Sequence, residues 1–594
     1  MILRTLLIVI TLDAQGFAQS RSSINENVPD NWPKQDRLRY VALQNGFDRV
    51  TRTSPQRQAV AATAMIAGTS DAFAVHAGLG ALKRGGNAAD AALTASLAQI
   101  SLEAGAFVSY AGLMTAVYYD AKTHRVYALN AAYNTLRNEK DPQTIPTAGH
   151  SGRTALVPGF MAGVEALHSR FGKLPFRMLF DPAIWVAEQG VPINVILGRT
   201  LALHKGTLTR LADTKRVFTK RDGQLFRTGD KFRQPELAHT LRNVASQGSA
   251  YMYKGLWAHR MVEAVQREGG KLNLEDLAAY RPLWSEPLNI AYGDYQVFTL
   301  GLPNRGGLET LASLKLVEVS RLNKYGHYTR SADALYYLIQ ISRLQSILAS
   351  QPAAIKKFFD DGDHSPTSRL STQSAERLWA QIQAPTRHEL MDGLLTGPPQ
   401  PGHSAGIVAV DNQGNVAAIL HSLNGTAWGE TGIFVDGVSI PDSARFQQQL
   451  ISEAGPGRRL PEATNPLIVL REGRPILACT AIGTALHETT LENLINVLDF
   501  AMDPKTALDQ PNTENPFYGI GVGLSPKFEM HHVAVGEGDF PASVLDGVRS
   551  RGQAIKTVPY GTNDAYWIGV QIDHQAHKLR GGVPSVFNAH VEGY

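Results

Sequence analysis

The sequence predicts an α+β protein built as a layered sandwich, not a doubly wound parallel sheet. Helical and strand signals alternate from Val60 to about Ala162. Helical signals then dominate from Pro158 to about Ala384. Strand signals return from Ser404 onward, with one clear helix near Glu488–Ala501. Strands segregated from helices in this way pack as faces of a sandwich, whereas a parallel sheet needs the two in regular alternation.

The elements follow in chain order. Residues 1–18 read as a signal peptide: Met1-Ile2-Leu3-Arg4, an apolar core from Leu6 to Leu12, and Gly16-Phe17-Ala18 as a small-x-small cleavage site before Gln19. The expected location is therefore secreted or otherwise extracytoplasmic. Residues 19–59 are polar and bear Pro, Asn and Arg, as an N-terminal arm would. Asp71 to Ile100 has helical apolar spacing broken at Gly85-Gly86, which predicts a helix end and a new helix start. Thr115–Tyr119 and Arg125–Leu129 read as strands around a turn at Asp120–His124.

A Pro/Gly-rich approach, Gly397 to His403, leads to Ser404. Ser404 opens an apolar run, Ala405–Asp411, followed by a turn at Asn412–Asn415 and a second run, Val416–Leu420, which together predict a hairpin. A hydroxyl residue at a strand start is usually only that. If it is freed at its own amino end, however, it supplies nucleophile and base at once. An α-amino group titrates near neutral pH and can take the hydroxyl proton without a histidine.

Composition narrows the alternatives. At 43% hydrophobic and 19% charged residues the chain is that of a globular protein. A net charge of +4 and the lack of a basic cluster interleaved with aromatics argue against a nucleic-acid partner. No later apolar run reaches the roughly 20 residues of a membrane helix. The single cysteine, Cys479, excludes an intrachain disulfide and reads as a small buried residue. Gly85-Gly86 and Gly306-Gly307 sit in no phosphate-loop frame. His531-His532 and Asp573-His574 lack metal-ligand spacing and read as surface histidines, and Lys356–Asp363 reads as a solvated loop. No metal or cofactor is expected.

From Val60 to the end the chain resembles the γ-glutamyltranspeptidase family of N-terminal-nucleophile hydrolases. The resemblance is carried, in the family's order, by Ala77–Ala92, Val157-Pro158-Gly159, Gly269–Arg281 and Asn496–Phe500. It implies a four-layer αββα fold and a precursor that cuts itself at His403–Ser404. The products would be a large-subunit part, 60–403, and a small-subunit part, 404–594, which stay associated. Ser404 stands where the family has its nucleophilic threonine, and it lacks the methyl that restricts threonine's χ1. Ser422 falls where the family has a threonine that hydrogen-bonds the nucleophile, and Asn424 falls on a substrate-contacting asparagine. Strand alternation would put both on the face that carries Ser404. Ile482-Gly483 aligns with the glycine pair whose backbone N–H groups form the oxyanion hole.

The substrate positions depart from the family. Ala132 stands near the family's carboxylate-binding arginine, Glu462-Ala463 replaces its serine pair, and its acid-rich motif has become Val438–Asp442. Arg137 and Arg305 are the arginines that could take over. The Gly-rich run is reduced to Gly105–Gly112. The implied function is a self-processing amidohydrolase or acyltransferase using Ser404, with a small amide or peptide-like substrate, water or an amine as acceptor, and specificity shifted away from glutamyl. An ordinary glutathione hydrolase is the nearest alternative. An unprocessed, non-catalytic binding protein is the alternative of another class.

Overall fold

A computed structural model describes residues 28–45, 57–350, 365–384, 404–483, 485–514, 532–559, 565–586 and 588–594. The expected signal peptide, Lys356–Asp363, His403 and His531 lie outside the described residues.

Two seven-stranded, wholly antiparallel sheets form the centre. One runs His590–Gly593, Met65–Gly68, Ser404–Val410, Val416–Ser422, Leu113–Asp120, Arg125–Ala131, Leu283–Ser285. The other runs Arg57–Ala61, Lys578–Val583, Ala565–Asp573, Arg474–Gly483, Leu467–Arg471, Tyr295–Thr299, Leu288–Tyr292. Alternation along each strand feeds two different cores. Val408, Val410, Val416 and Ala418 meet Ile468, Ala478, Ile568 and Val570 between the sheets. Ile407, Ala409, Ala417 and Ile419 pack the opposite way, with Val75, Leu93 and Leu97 from the helices Ala72–Lys83 and Ala88–Leu102. On the far side, Val469, Leu477 and Cys479 pack with Leu311, Leu338 and Leu491 of a second helical layer. The fold is thus the four-layer αββα sandwich. Strands buried on both faces are apolar throughout, which is why the hairpin at Ser404 reads as continuous hydrophobic runs.

Local expectations from the sequence hold where the chemistry is local. The break at Gly85-Gly86 separates two helices, and the second begins with a reciprocal capping box between Asn87 and Asp90. The two early strands and the Ser404 hairpin form with ends within two residues of those expected, the first hairpin strand stopping at Val410, one short of Asp411. Cys479 is fully buried, and burial pushes its thiol up to about 12. His574 accepts from Arg474 at 2.8 Å through Nδ1 and so donates through Nε2 to the Pro475 carbonyl at 2.8 Å. The stretch expected as an arm does carry structure: the helix Lys34–Asn45 docks through buried Trp32 and Tyr40, and the Tyr40 hydroxyl bonds Glu592. Its polar composition hides this, because few apolar side chains anchor it: Trp32 and Tyr40 are buried, with Val41 and Leu43 packed beside them.

Candidate active site

The site lies where the strand Ser404–Val410 begins and its partner Val416–Ser422 ends. Hairpin register sets Ser404 opposite Ser422, so the two hydroxyl residues share one face of the sheet. It is the face of Gly406 and Val408, turned toward the second sheet. A Cβ at Gly406 would stand 2.6 Å from Thr480 Cγ2. Glycine there lets the Ser404 strand close on the strand that ends at Gly483. Gly483 has φ +97°, a conformation that costs a glycine little, while the Ile482 side chain is buried.

Thr69, which the sequence did not single out, fixes the entry to the Ser404 strand. Its N–H donates to the Gly406 carbonyl at 3.0 Å, and its Oγ1 accepts from the Gly406 N–H at 2.8 Å. The available signal was a hydroxyl residue one position past a short apolar strand.

Beyond Ser422 the strand stops. Asn424 takes φ +46°, so strand alternation does not relate it to Ser422. A left-handed turn joins them instead. The Asn424 N–H donates to Ser422 Oγ at 2.9 Å, and Asn424 Nδ2 donates to Glu462 Oε2 at 2.8 Å. The Leu423 carbonyl pins the turn by accepting from Tyr133 Oη at 2.8 Å and Ser443 Oγ at 2.6 Å. The structure therefore connects Ser404, Ser422, Asn424 and Glu462 in sequence.

Glu462 is 3% exposed. Burial pushes its carboxyl up to about 7, with Arg305, Arg459 and the Asn424 bond pulling the other way. Its Oε1 is buried without a hydrogen-bond partner among the described residues. Its backbone carbonyl accepts from the N–H groups of Arg305 at 2.9 Å and Gly306 at 3.2 Å, where the helix Gly306–Ser320 begins. Ala463 follows with no polar side-chain atom. Asp442 is fully buried. It accepts from the Thr426 N–H at 3.0 Å, Thr426 Oγ1 at 2.8 Å and the Glu430 N–H at 3.1 Å, and Arg445 Nε lies 3.1 Å away. Its carboxylate thus ties down the loop just past Asn424.

The arginines are arranged differently from a carboxylate fork. The Ala132 carbonyl accepts from Tyr280 Oη at 2.6 Å. Beside it lies Arg459, a residue the sequence did not flag. Its Nε donates to Asn134 Oδ1 at 2.7 Å, its Nη1 to Asn130 Oδ1 at 3.2 Å, and its Nη2 to the Arg281 carbonyl at 2.7 Å. Arg137 pairs with Glu275 at 2.5 Å. His421 faces the helical layer, with Nε2 2.9 Å from Gln99 Oε1, and burial pushes its ring down to about 3. It is a neutral structural histidine, despite sitting next to Ser422.

The gamma-glutamyltranspeptidase family profile matches residues 74–582. The glutathione hydrolase proenzyme of Escherichia coli K12 is 25% identical over 466 residues, covering 74% of this chain and 79% of that protein. That of Bacillus subtilis 168 is 23% identical, covering 88% and 90%. The acylase ACY 1 proenzyme of Pseudomonas sp. SE83 is 24% identical, covering 75% and 81%. The crystal structure of cephalosporin acylase from Bacillus halodurans superposes with a TM-score of 0.74 at 22% identity, covering 92% of this chain and 99% of that one, a likeness of fold. With the family's signature segments spread along nearly the whole matched length, the chain belongs to the gamma-glutamyltranspeptidase family of N-terminal-nucleophile amide hydrolases and acyltransferases.

Proposed function

We propose that the chain is a precursor that cleaves itself at His403–Ser404 and then uses Ser404 as the nucleophile of an amidohydrolase or acyltransferase whose acyl donor is not γ-glutamyl. The observation that carries this is the register of Ser404 against Ser422, continued through Asn424 to a buried Glu462. In the precursor, Ser404 Oγ attacks the His403 carbonyl carbon, and the acyl group moves from nitrogen to oxygen. Water then hydrolyses that ester, leaving a carboxylate on His403 and an α-amine on Ser404. In turnover, Ser404 Oγ attacks the substrate carbonyl while the α-amine takes its proton. The backbone around Gly483 faces the developing oxyanion. The C–N bond breaks, the amine leaves with the proton, and water or another amine takes the acyl group.

The halves are interleaved, which supports a cleaved protein that stays together. Strands 404–410 and 416–422 of the small part lie between Met65–Gly68 and Leu113–Asp120 of the large part. Separation would tear the sheet. Asp442 holds the turn after Asn424, and Ala463 stands beside Glu462 in the substrate-binding segment. Reading residues 1–18 as a signal peptide supports an extracytoplasmic location.

Intact-mass measurement and N-terminal sequencing of purified protein test the reading. Two pieces are expected, the smaller beginning at Ser404. A single chain that persists through prolonged incubation would refute it. Ser422→Ala, which removes a neutral hydrogen bond, is expected to slow self-cleavage and turnover together by about two- to tenfold. Asn424→Ala is expected to raise KM more than it slows self-cleavage, because it strips Glu462 of its one side-chain partner among the described residues. Kinetics of both steps on both variants would show whether the roles divide in this way.

A further inference from the structure

Glu462 supplies more than a missing serine. A buried carboxylate normally has its oxygens filled by donors, yet Oε2 has only Asn424 Nδ2 at 2.8 Å, and Oε1 has no donor among the described residues. The nearby cations do not fill the gap. Arg459 spends its guanidinium on Asn134, Asn130 and the Arg281 carbonyl. Arg305 acts on Glu462 through its charge and through its backbone N–H, which goes to the Glu462 carbonyl oxygen. The open oxygen belongs to a side chain only two hydrogen bonds from Ser422, through Asn424. An unfilled acceptor on a side chain linked through Asn424 to Ser422, the register partner of Ser404, is a recognition element for a donor on the substrate.

We propose that Glu462 is the specificity-determining residue of this site, seating a protonated amine on the acyl donor, and that the preferred donor carries this amine without an accompanying carboxylate. The inference rests on Ser404 being the nucleophile. An ammonium brings a positive charge to the carboxylate and three donors to an oxygen that has none among the described residues. A carboxylate in the same place would face Glu462, and no arginine shown here presents a free fork to it. Charge also gives a direction with pH. With its carboxyl pushed up to about 7, Glu462 is largely neutral below that value and ionised above it, so an ammonium is held more tightly as pH rises through 7. The groups facing Glu462 are Arg305 from the helix start, Arg459 from its own segment and Tyr133 from the strand side.

Four anilides that differ only in the acyl group separate the charges: 4-aminobutanoyl (amine alone), glutaryl (carboxylate alone), γ-glutamyl (both) and butanoyl (neither). The purified, self-processed protein is expected to show the highest kcat/KM with 4-aminobutanoyl, about ten- to a hundredfold above glutaryl. Its KM for the amine donor relative to butanoyl should fall between pH 6 and 8. The α-amine of Ser404 titrates nearby but acts on every donor alike, so this ratio is free of it. Glu462→Gln, nearly isosteric, should flatten the ratio's pH dependence and shrink the 4-aminobutanoyl preference by at least tenfold. Glu462→Ser should do the same, which guards against a folding defect peculiar to one variant. A processed protein that prefers glutaryl or γ-glutamyl, turns over none of the four, or selects among them as Glu462→Gln does overturns the inference while leaving Ser404 in place. A protein that never processes removes the nucleophile, and the inference goes with it.

Discussion

Ser404→Ala is expected to remain one polypeptide and to lose turnover by four or more orders of magnitude, since loss of a nucleophile in an acyl-transfer enzyme costs on the order of 10⁶ in kcat. The effect is doubled here. The hydroxyl is needed to cut the chain, and the cut is needed to make the α-amine, because an amide nitrogen in an intact chain has no free lone pair to accept a proton. Ser404→Thr restores a hydroxyl with a restricted χ1 and is expected to process at least as fast as the wild type. In the processed protein, turnover should rise with pH and level off above the α-amine's ordinary range, roughly 7.7–8.0, because the base must be unprotonated. His421 cannot supply that limb. It titrates near 3 and faces the helical layer. Gel and intact-mass time courses on the two variants, with a kcat/KM profile on the wild type using an uncharged donor, check all three statements. Processing of Ser404→Ala at the wild-type rate would remove Ser404 from the mechanism.

Much of the sandwich was legible because its signals are local. A strand buried on both faces announces itself by composition, as Ala405–Val410 and Val416–Leu420 do, and the break at Gly85-Gly86 precedes a capping residue, Asn87. The pairing of Ser404 with Ser422 was also within reach, because a short hairpin turn fixes register. What was not legible depends on residues far apart in sequence. Thr69 holds Gly406 across 337 positions, and Arg459 reaches Asn130 across 329. No periodicity encodes such a meeting. Asn424 shows a subtler limit. Counting by twos assumes that the strand continues, and a left-handed residue ends that count while still delivering the side chain to the same neighbourhood. The helix Lys34–Asn45 escaped notice because its anchoring rests on a few apolar residues, Trp32, Tyr40, Val41 and Leu43, in an otherwise polar stretch.

The second large effect is expected from Gly306→Ala, a single methyl placed behind the 462–464 segment. A Cβ at Gly306 would lie 1.8 Å from the Ala463 carbonyl oxygen and 2.3 Å from its carbon. Both are backbone atoms, so no flexible side chain can yield. Either the start of the helix Gly306–Ser320 or the 462–464 segment must move. The helix start is the stiffer partner. Its first turn is tied by the bonds of Arg305 and Gly306 to the Glu462 carbonyl and by Asn304 Oδ1 to the Gly307 N–H at 3.1 Å, while Asn304 Nδ2 holds Thr464 Oγ1 at 2.9 Å. Displacement therefore falls on Glu462 and Ala463, and the 2.8 Å contact between Glu462 and Asn424 is the first casualty. Overpacking of this kind costs about 1–3 kcal/mol, visible as a lower unfolding midpoint in denaturant. The Ser404–Ser422 hairpin is held by its own ladder and by Thr69, so self-cleavage should survive while KM rises by tenfold or more. A variant with wild-type stability and wild-type KM would mean that the 462–464 segment is not tied to the helix start as these distances require.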